Sequence, residues 1–300
     1  VSQLDHDANV TPWDLAAQDA GVAVDHVAID PDTATLDLDD FHRQLGNSTR
    51  LVAVGAASNL SGSINPINEI VQAAHRVGAL VFVDAVHLAP HRLLDVVDWD
   101  CDLLACSAYK FFGPHVGLLW GKREILESLT PYKLRPATDS LPGKWMTGTG
   151  NHEGIAGVRE SIEYLADLGR TIDPGPASRR QALEAAFVAI GDHERGLSLE
   201  LLDGLTSLPG TIVHGITDPE LIDHRVATYS ITHPNLSPAS LAENLARRGI
   251  FTWPGNHYAL PVTQALGLEP GGTLRISALH YNTRDEIKRT ILALGELLAE

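Results

Sequence analysis

The chain has 300 residues, 44% of them hydrophobic, and a formal net charge of −16. That content fills one large core or two ordinary ones, and the acidic balance excludes a nucleic-acid surface, which needs a basic face. The only cysteines, Cys101 and Cys106, are too few for a disulfide framework; with no membrane-length apolar run and no signal-peptide pattern, the expectation is a cytoplasmic protein that does not engage a membrane.

The opening segment VSQLDHDANVTPW carries no initiator Met and reads as a strand met part-way through a longer protein. TPWDLAAQDAG reads as a helix with Thr11 as N-cap, Pro12 in its first turn and Gly21 as its stop. A strand VAVDHVAI, a helix LDDFHRQLG, a strand LVAVGAAS, a helix INEIVQAAHRVG and a strand ALVFVDA follow, then strands DLLACS and VGLLWG. This alternation predicts an α/β fold with a mostly parallel central sheet flanked by helices. Residues 131–150 are polar and rich in Gly and Pro, a long functional loop. Helical patterns at 151–169 and 178–206 precede short strands TIVHGI, RVATYSIT and TLRISA, a helix near PASLAENLARRG and a closing helix from Thr283. The expected division is a large domain over 1–175, and a linking helix with a smaller α+β domain over 176–300.

Ligands of α/β proteins sit beyond the carboxyl ends of the strands. There ALVFV delivers Asp84, DLLAC leads through Ser107, Ala108 and Tyr109 to Lys110, and LVAVGAA leads to Ser58 and Asn59. A carboxylate ending an apolar run calls for a cation or donor. An amine, a carboxylate and an amide on one rim suit pyridoxal 5′-phosphate. The lysine forms the Schiff base, activated by partial desolvation among aromatic groups such as Phe111 and Phe112, the aspartate pairs with the pyridine nitrogen, and Ser107 reaches the phosphate.

Six segments, taken in order, resemble the class V aminotransferases of fold type I, and within them the cysteine desulfurase-like branch. LDHDANVTPW resembles E-H-H-A-N-x-x-P-W, SNLSGSINPI resembles S-N-x-x-G-x-x-x-P-I, and VDAVHLAPH resembles V-D-G-A-Q-x-x-x-H. CDLLACSAYKFFGPHVGLLWGK, GTGNHEGIAGV and LRISALHYNTRDEI match the branch's lysine segment, its G-T-P-N segment and its R-x-S-x-x-x-Y-N-T segment. The resemblance implies that Lys110 is the Schiff-base lysine, Asp84 the pyridine partner, and His6 a ring stacked on the cofactor. It implies that Asn59 and His87 lie near the phenolic oxygen, that Ser107 and Tyr109 serve the phosphate, and that Arg275 holds the substrate α-carboxylate. A planar guanidinium suits that task because it binds a carboxylate through two hydrogen bonds. Thr149 stands where the family reaches the neighbouring subunit's phosphate, which implies a homodimer with shared sites. The family's phosphate-cradling turn lies upstream of the first residue, so the chain is expected to be N-terminally incomplete.

The departures bear on the reaction. Against R-T-G-H-H-C-A, the segment WPGNHYALPV holds Tyr258 where the branch carries its persulfide cysteine. Cys106, near the end of a strand expected to be buried, is no substitute. His87 replaces a glutamine and Tyr109 a histidine. Trp253, His257 and Tyr258 are expected to line the side-chain end of the pocket. The reading is therefore an enzyme acting on an amino acid by C–S lyase, desulfurase-type or aminotransferase chemistry without a cysteine persulfide; epimerisation stays open. Two alternatives remain: a catalytically silent scaffold of the same fold, and a metal-dependent hydrolase using Asp84, His87 and His91 with His115 nearby.

Overall fold

The computed structural model describes residues 1–300 apart from Thr147, Pro176, Ala177 and Glu300. Its first half contains α1 (Thr11–Ala20), β1 (Ile29–Asp30), β2 (Thr35–Leu36), α2 (Leu38–Gln44), β3 (Leu51–Gly55), α3 (Ile67–Arg76), β4 (Leu80–Asp84), α4 (Val96–Trp99), β5 (Leu103–Ser107), β6 (Gly117–Gly121) and α5 (Arg123–Ser128). The second half contains α6 (His152–Ile172), α7 (Arg179–Ser207), β7 (Ile212–His214), β8 (Thr228–Thr232), α8 (Pro238–Arg247), β9 (Trp253–Gly255), α9 (Leu260–Ala265), β10 (Thr273–Ser277) and α10 (Arg284–Ala299).

The central sheet has the order β3-β4-β5-β6. Its first three strands run parallel and β6 pairs antiparallel with β5. Val81 and Val83 of β4 are fully buried between layers, which is why this strand reads as a continuous apolar run. Ile67, Ile70, Val71 and Ala74 of α3 are buried at helical spacing and cover one face of the sheet. The second sheet, β7-β8-β10-β9, is antiparallel throughout. It packs with α7, α8 and α10 around Leu201, Leu205, Tyr229, Ile231, Leu274 and Leu294. The two cores interlock, because Val226, Ala259 and Val262 belong to the first one.

The join between them is held by Arg225, which is buried and pairs with no carboxylate among the described residues. Its guanidinium donates to the main-chain carbonyls of Ile216, Ser61 and Thr228 and lies over the Tyr229 ring at 3.6 Å. The hydroxyl of Ser230 donates to the carbonyl of Leu60 at 2.8 Å. The loop after β3 is thus fastened to the second sheet.

Several sequence expectations are corrected. The opening residues form one bridge, Ser2 with Val27, and a 3-10 turn at Asp7–Asn9 rather than a strand. Thr11 is the first helical residue; the N-cap is Val10, with no side-chain bond, and the Thr11 hydroxyl donates to Asp7 Oδ1 instead. Gly21 does end the helix, at φ 68°. The expected strand at 22–29 shrinks to the Val27 bridge and β1, because Val22 and Ala23 face solvent. No helix among the described residues is long and apolar enough to cross a membrane.

Candidate active site

Three adjacent parallel strands end at one rim. β3 leads through Ala56–Ser58 to Asn59, β4 ends on Asp84, and β5 ends on Ser107, with Lys110 in the 3-10 turn Ala108–Phe111 that follows. The parallel register sets Asp84 beside Gly55 on one side and Ala105 on the other. From the second sheet, β10 contributes Arg275, whose Nη1 donates to the carbonyl of Asn59 at 2.9 Å. His6 enters from the opening segment.

Each charge at this rim responds to the others. Burial lowers the pKa of Lys110 from its ordinary value; Arg275 lowers it further and Asp84 opposes both. Burial raises the pKa of Asp84, against the hydrogen bond from the Val86 N–H at 2.9 Å and the positive charges of His6 and Lys110. Burial lowers Arg275, which forms no ion pair among the described residues. His6 is lowered by burial and accepts the Ala8 N–H at Nδ1, so its neutral form carries the proton on Nε2.

The aromatic cover of Lys110 differs from expectation. Phe111 packs into a small core with Ala89, Ala108 and Val158, and Phe112 packs against Tyr164, His280 and Tyr281. The ring near the Lys110 amine is Tyr109, with its centroid 5.4 Å away, itself stacked on His115. Ser107 is half-buried and its hydroxyl makes no cap bond to the turn. Thr149 is exposed in its loop, near but outside the undescribed Thr147.

Residues 253–258 behave as one unit. His257 and Tyr258 both have φ of +57°, unusual for side chains of this size. The turn sends the His257 carbonyl to Asn59 Nδ2 at 2.8 Å and the Tyr258 carbonyl to the Asp7 N–H at 2.7 Å. His257 is only 7% exposed, bonded through Nε2 to Thr273 Oγ1, and burial pushes its pKa down to about 4. Tyr258 is 73% exposed, yet its ring stacks on His6 with centroids 5.6 Å apart. Trp253 is exposed on β9.

Some groups at the site were not anticipated. Asp5 is 4% exposed, accepts the Gly55 N–H at 2.5 Å, and has its pKa raised to about 7, mainly by burial and with Asp84 adding repulsion. Its place directly before His6 was a signal; its partner fifty residues on was not. Arg225 and Glu194 carry no comparable signal.

The rim fits a pyridoxal-type cofactor. A half-buried carboxylate with one main-chain donor, a lysine of lowered proton affinity and a guanidinium without an ion pair among the described residues converge on it, and Asn59 Oδ1 and His257 Nδ1 are buried with no hydrogen-bond partner among the described residues. Such orphans mark a place for a polar ligand. The metal alternative fits less well, since no three His, Cys, Asp or Glu among the described residues are grouped to hold an ion, and His91 is committed to Glu194.

The model of the family "Aminotransferase class-V" matches residues 1–290. The chain belongs to this family. Its members are pyridoxal 5′-phosphate enzymes, and the fold-type-I resemblance read from the sequence stands. A cysteine desulfurase of Synechococcus elongatus is 30% identical over 312 residues, covering 99% of this chain and 45% of the relative. One from an Enterobacter species is 30% identical over 310 residues, covering 99% and 70%. Among solved structures, the apo cysteine desulfurase of Thermococcus onnurineus superposes with a TM-score of 0.86 at 26% identity, covering 99% of this chain and 72% of that one. The chain thus spans under half of the first relative and about seven-tenths of the others.

Neither cysteine of this class V chain lies in the 253–262 segment. Cys101 is buried and Cys106 only half-buried, and desolvation pushes both thiols up to about 11. Neither is a ready thiolate at neutral pH.

Proposed function

We propose that this chain carries the active site of a pyridoxal-phosphate enzyme that acts on an amino acid in the manner of the cysteine desulfurases, without a cysteine persulfide. The reaction is C–S lyase, desulfurase-type or amino-transfer chemistry. The observation that carries this reading is the convergence of Asp84, Lys110, Asn59 and Arg275 from two sheets onto one rim, with the Arg275 guanidinium free of any ion pair among the described residues.

The bound cofactor would supply an electron sink for charge developing at the substrate Cα. Lys110 is the residue that would hold it, and the lowered proton affinity of this amine favours the neutral form needed for attack and for moving the Cα proton. Asp84 would face the ring nitrogen and stabilise its proton. Asn59 and His87 would face the phenolic oxygen, His6 the ring, and Ser107, Tyr109 and Thr149 the phosphate. Arg275 would hold the substrate carboxylate by two parallel hydrogen bonds, with its tie to Asn59 fixing the orientation of the fork. Trp253, His257 and Tyr258 would bound the side-chain end. The absence of a cysteine in that segment, together with the raised proton affinity of Cys106, supports a route that does not store sulfur on the protein.

The reading includes a homodimer in the cytoplasm, with a large domain over 1–175 and a smaller one over 176–300. Exposed Leu119 and Trp120 on the edge strand β6, and Tyr132 and Leu134 in the loop that leads to Thr149, support self-association. The deciding experiment is the visible spectrum of protein mixed with pyridoxal phosphate. A new band, trapped by borohydride on Lys110 and missing in Lys110→Ala, is the expected result. A folded protein that takes up no cofactor would sink this reading in favour of the silent scaffold.

A further inference from the structure

The segment after β4 carries His87 and His91 with their rings edge-to-face, centroids 5.6 Å apart at 61°. His91 Nδ1 donates to Glu194 Oε2 at 2.7 Å, and both residues are 2% exposed. Glu194 comes from α7, 103 residues further along the chain. Its other oxygen, Oε1, is buried with no hydrogen-bond partner among the described residues, so compensation for this buried carboxylate rests on His91. His87 is itself bonded through Nε2 to Thr228 Oγ1 at 3.1 Å, and Thr228 continues to Ser277 Oγ at 3.1 Å. His87 therefore touches a pair anchored in α7 and a hydroxyl chain anchored in the second sheet.

We propose that the buried His91–Glu194 pair is a positioning device for His87, fixing the attitude of that imidazole beside the cofactor's phenolic oxygen. The proposal rests on the assignment of His87 to that oxygen under the proposed function. A carboxylate on one imidazole nitrogen fixes its tautomer and ring plane, and the plane of His91 is what His87 packs against. The charge of His91 opposes a second proton on His87. Arg275 from β10, Lys110 from the turn after β5 and His6 from the opening segment oppose it as well, and burial is the largest cause holding His87 well below an ordinary histidine. Beyond the pair lie His193 and His280, the latter responding to the charges of Glu194, His193 and His91. A neutral imidazole can take part in a hydrogen bond to the phenolic oxygen without titrating there near neutral pH.

The test follows the histidine ring protons of the cofactor-free protein by NMR across pH, with His87 assigned from His87→Gln. Glu194→Gln and His91→Gln should each move the His87 titration by about one pH unit. His91→Gln keeps a donor for Glu194, so it carries the test if Glu194→Gln fails to fold. With cofactor loaded, the same variants should shift the pH midpoint of the visible spectrum, and should not do so in the His87→Gln background. A His87 titration unmoved in either folded variant overturns the proposal. The NMR readout needs no cofactor, so its failure is distinct from loss of the Lys110 band, which would sink the functional reading instead.

Discussion

Arg275 Nη1 and the main-chain carbonyl of Asn59 lie 2.9 Å apart, joined across 216 residues of sequence and across the junction of the two sheets. A group proposed for substrate and a group proposed for cofactor thus share one hydrogen bond. Arg275→Lys removes the fork while keeping the charge. The expected loss is about 2 kcal/mol, or about 30-fold in the Kd of an amino acid followed by spectral titration. The corresponding amine, lacking the carboxylate, should bind both proteins alike. An equal loss for both ligands would assign Arg275 to the scaffold.

Lys110 should react with an aldehyde at lower pH than an ordinary lysine, because burial and then Arg275 lower its pKa, so the neutral amine appears sooner as pH rises. The rate of pyridoxal-phosphate incorporation against pH measures this. In Arg275→Met the profile should move to higher pH but stop short of a free lysine, since burial, the larger cause, remains. A profile that does not move would show that the guanidinium is not felt at the amine.

Asp5 predicts an inverted stability profile. Its pKa is about 7 when folded and near 3.8 when free, so the folded chain binds the extra proton between those values. Stability from this group is fully present below the lower value and declines as pH rises through 7, by on the order of 4 kcal/mol at most. Asp5→Asn keeps an acceptor for the Gly55 N–H and should remove the decline. Urea denaturation at pH 5 and pH 8 decides it; equal slopes in parent and variant would be the contrary result.

Tyr258 should influence which side chains are accepted rather than whether cofactor binds. It is stacked on His6 but otherwise open to solvent. Tyr258→Ala should change kcat/KM among amino acids of different size by up to about tenfold, with pyridoxal-phosphate affinity unchanged. Loss of cofactor in step with activity would mean that the ring supports His6 instead.

Much of this architecture was legible because apolar continuity and strand order are local properties. β3, β4 and β5 show as unbroken runs, and the residues ending them fall on one rim. Less legible was anything decided by who covers whom. Val22–Val24 look like the start of a strand, but Val22 and Ala23 face solvent. Phe111 and Phe112 look like cover for Lys110, yet the turn directs Phe111 into a small aliphatic core and Phe112 to other rings. His91 looked like a metal ligand because its partner, Glu194, lies 103 residues away. The tyrosine at position 258 was visible in the letters, whereas the two consecutive left-handed residues that turn His257 inward were not.

The fastening of the loop after β3 by Arg225, Ser230 and Arg275 has a temporal consequence. A ribosome delivers Asp84 and Lys110 well before it delivers the three residues that hold Asn59 in place. The growing chain therefore carries the amine and the acid of its site while the polypeptide that aligns them is still being made. Alignment of this rim therefore arrives late, once synthesis has reached β10 and the two halves have met.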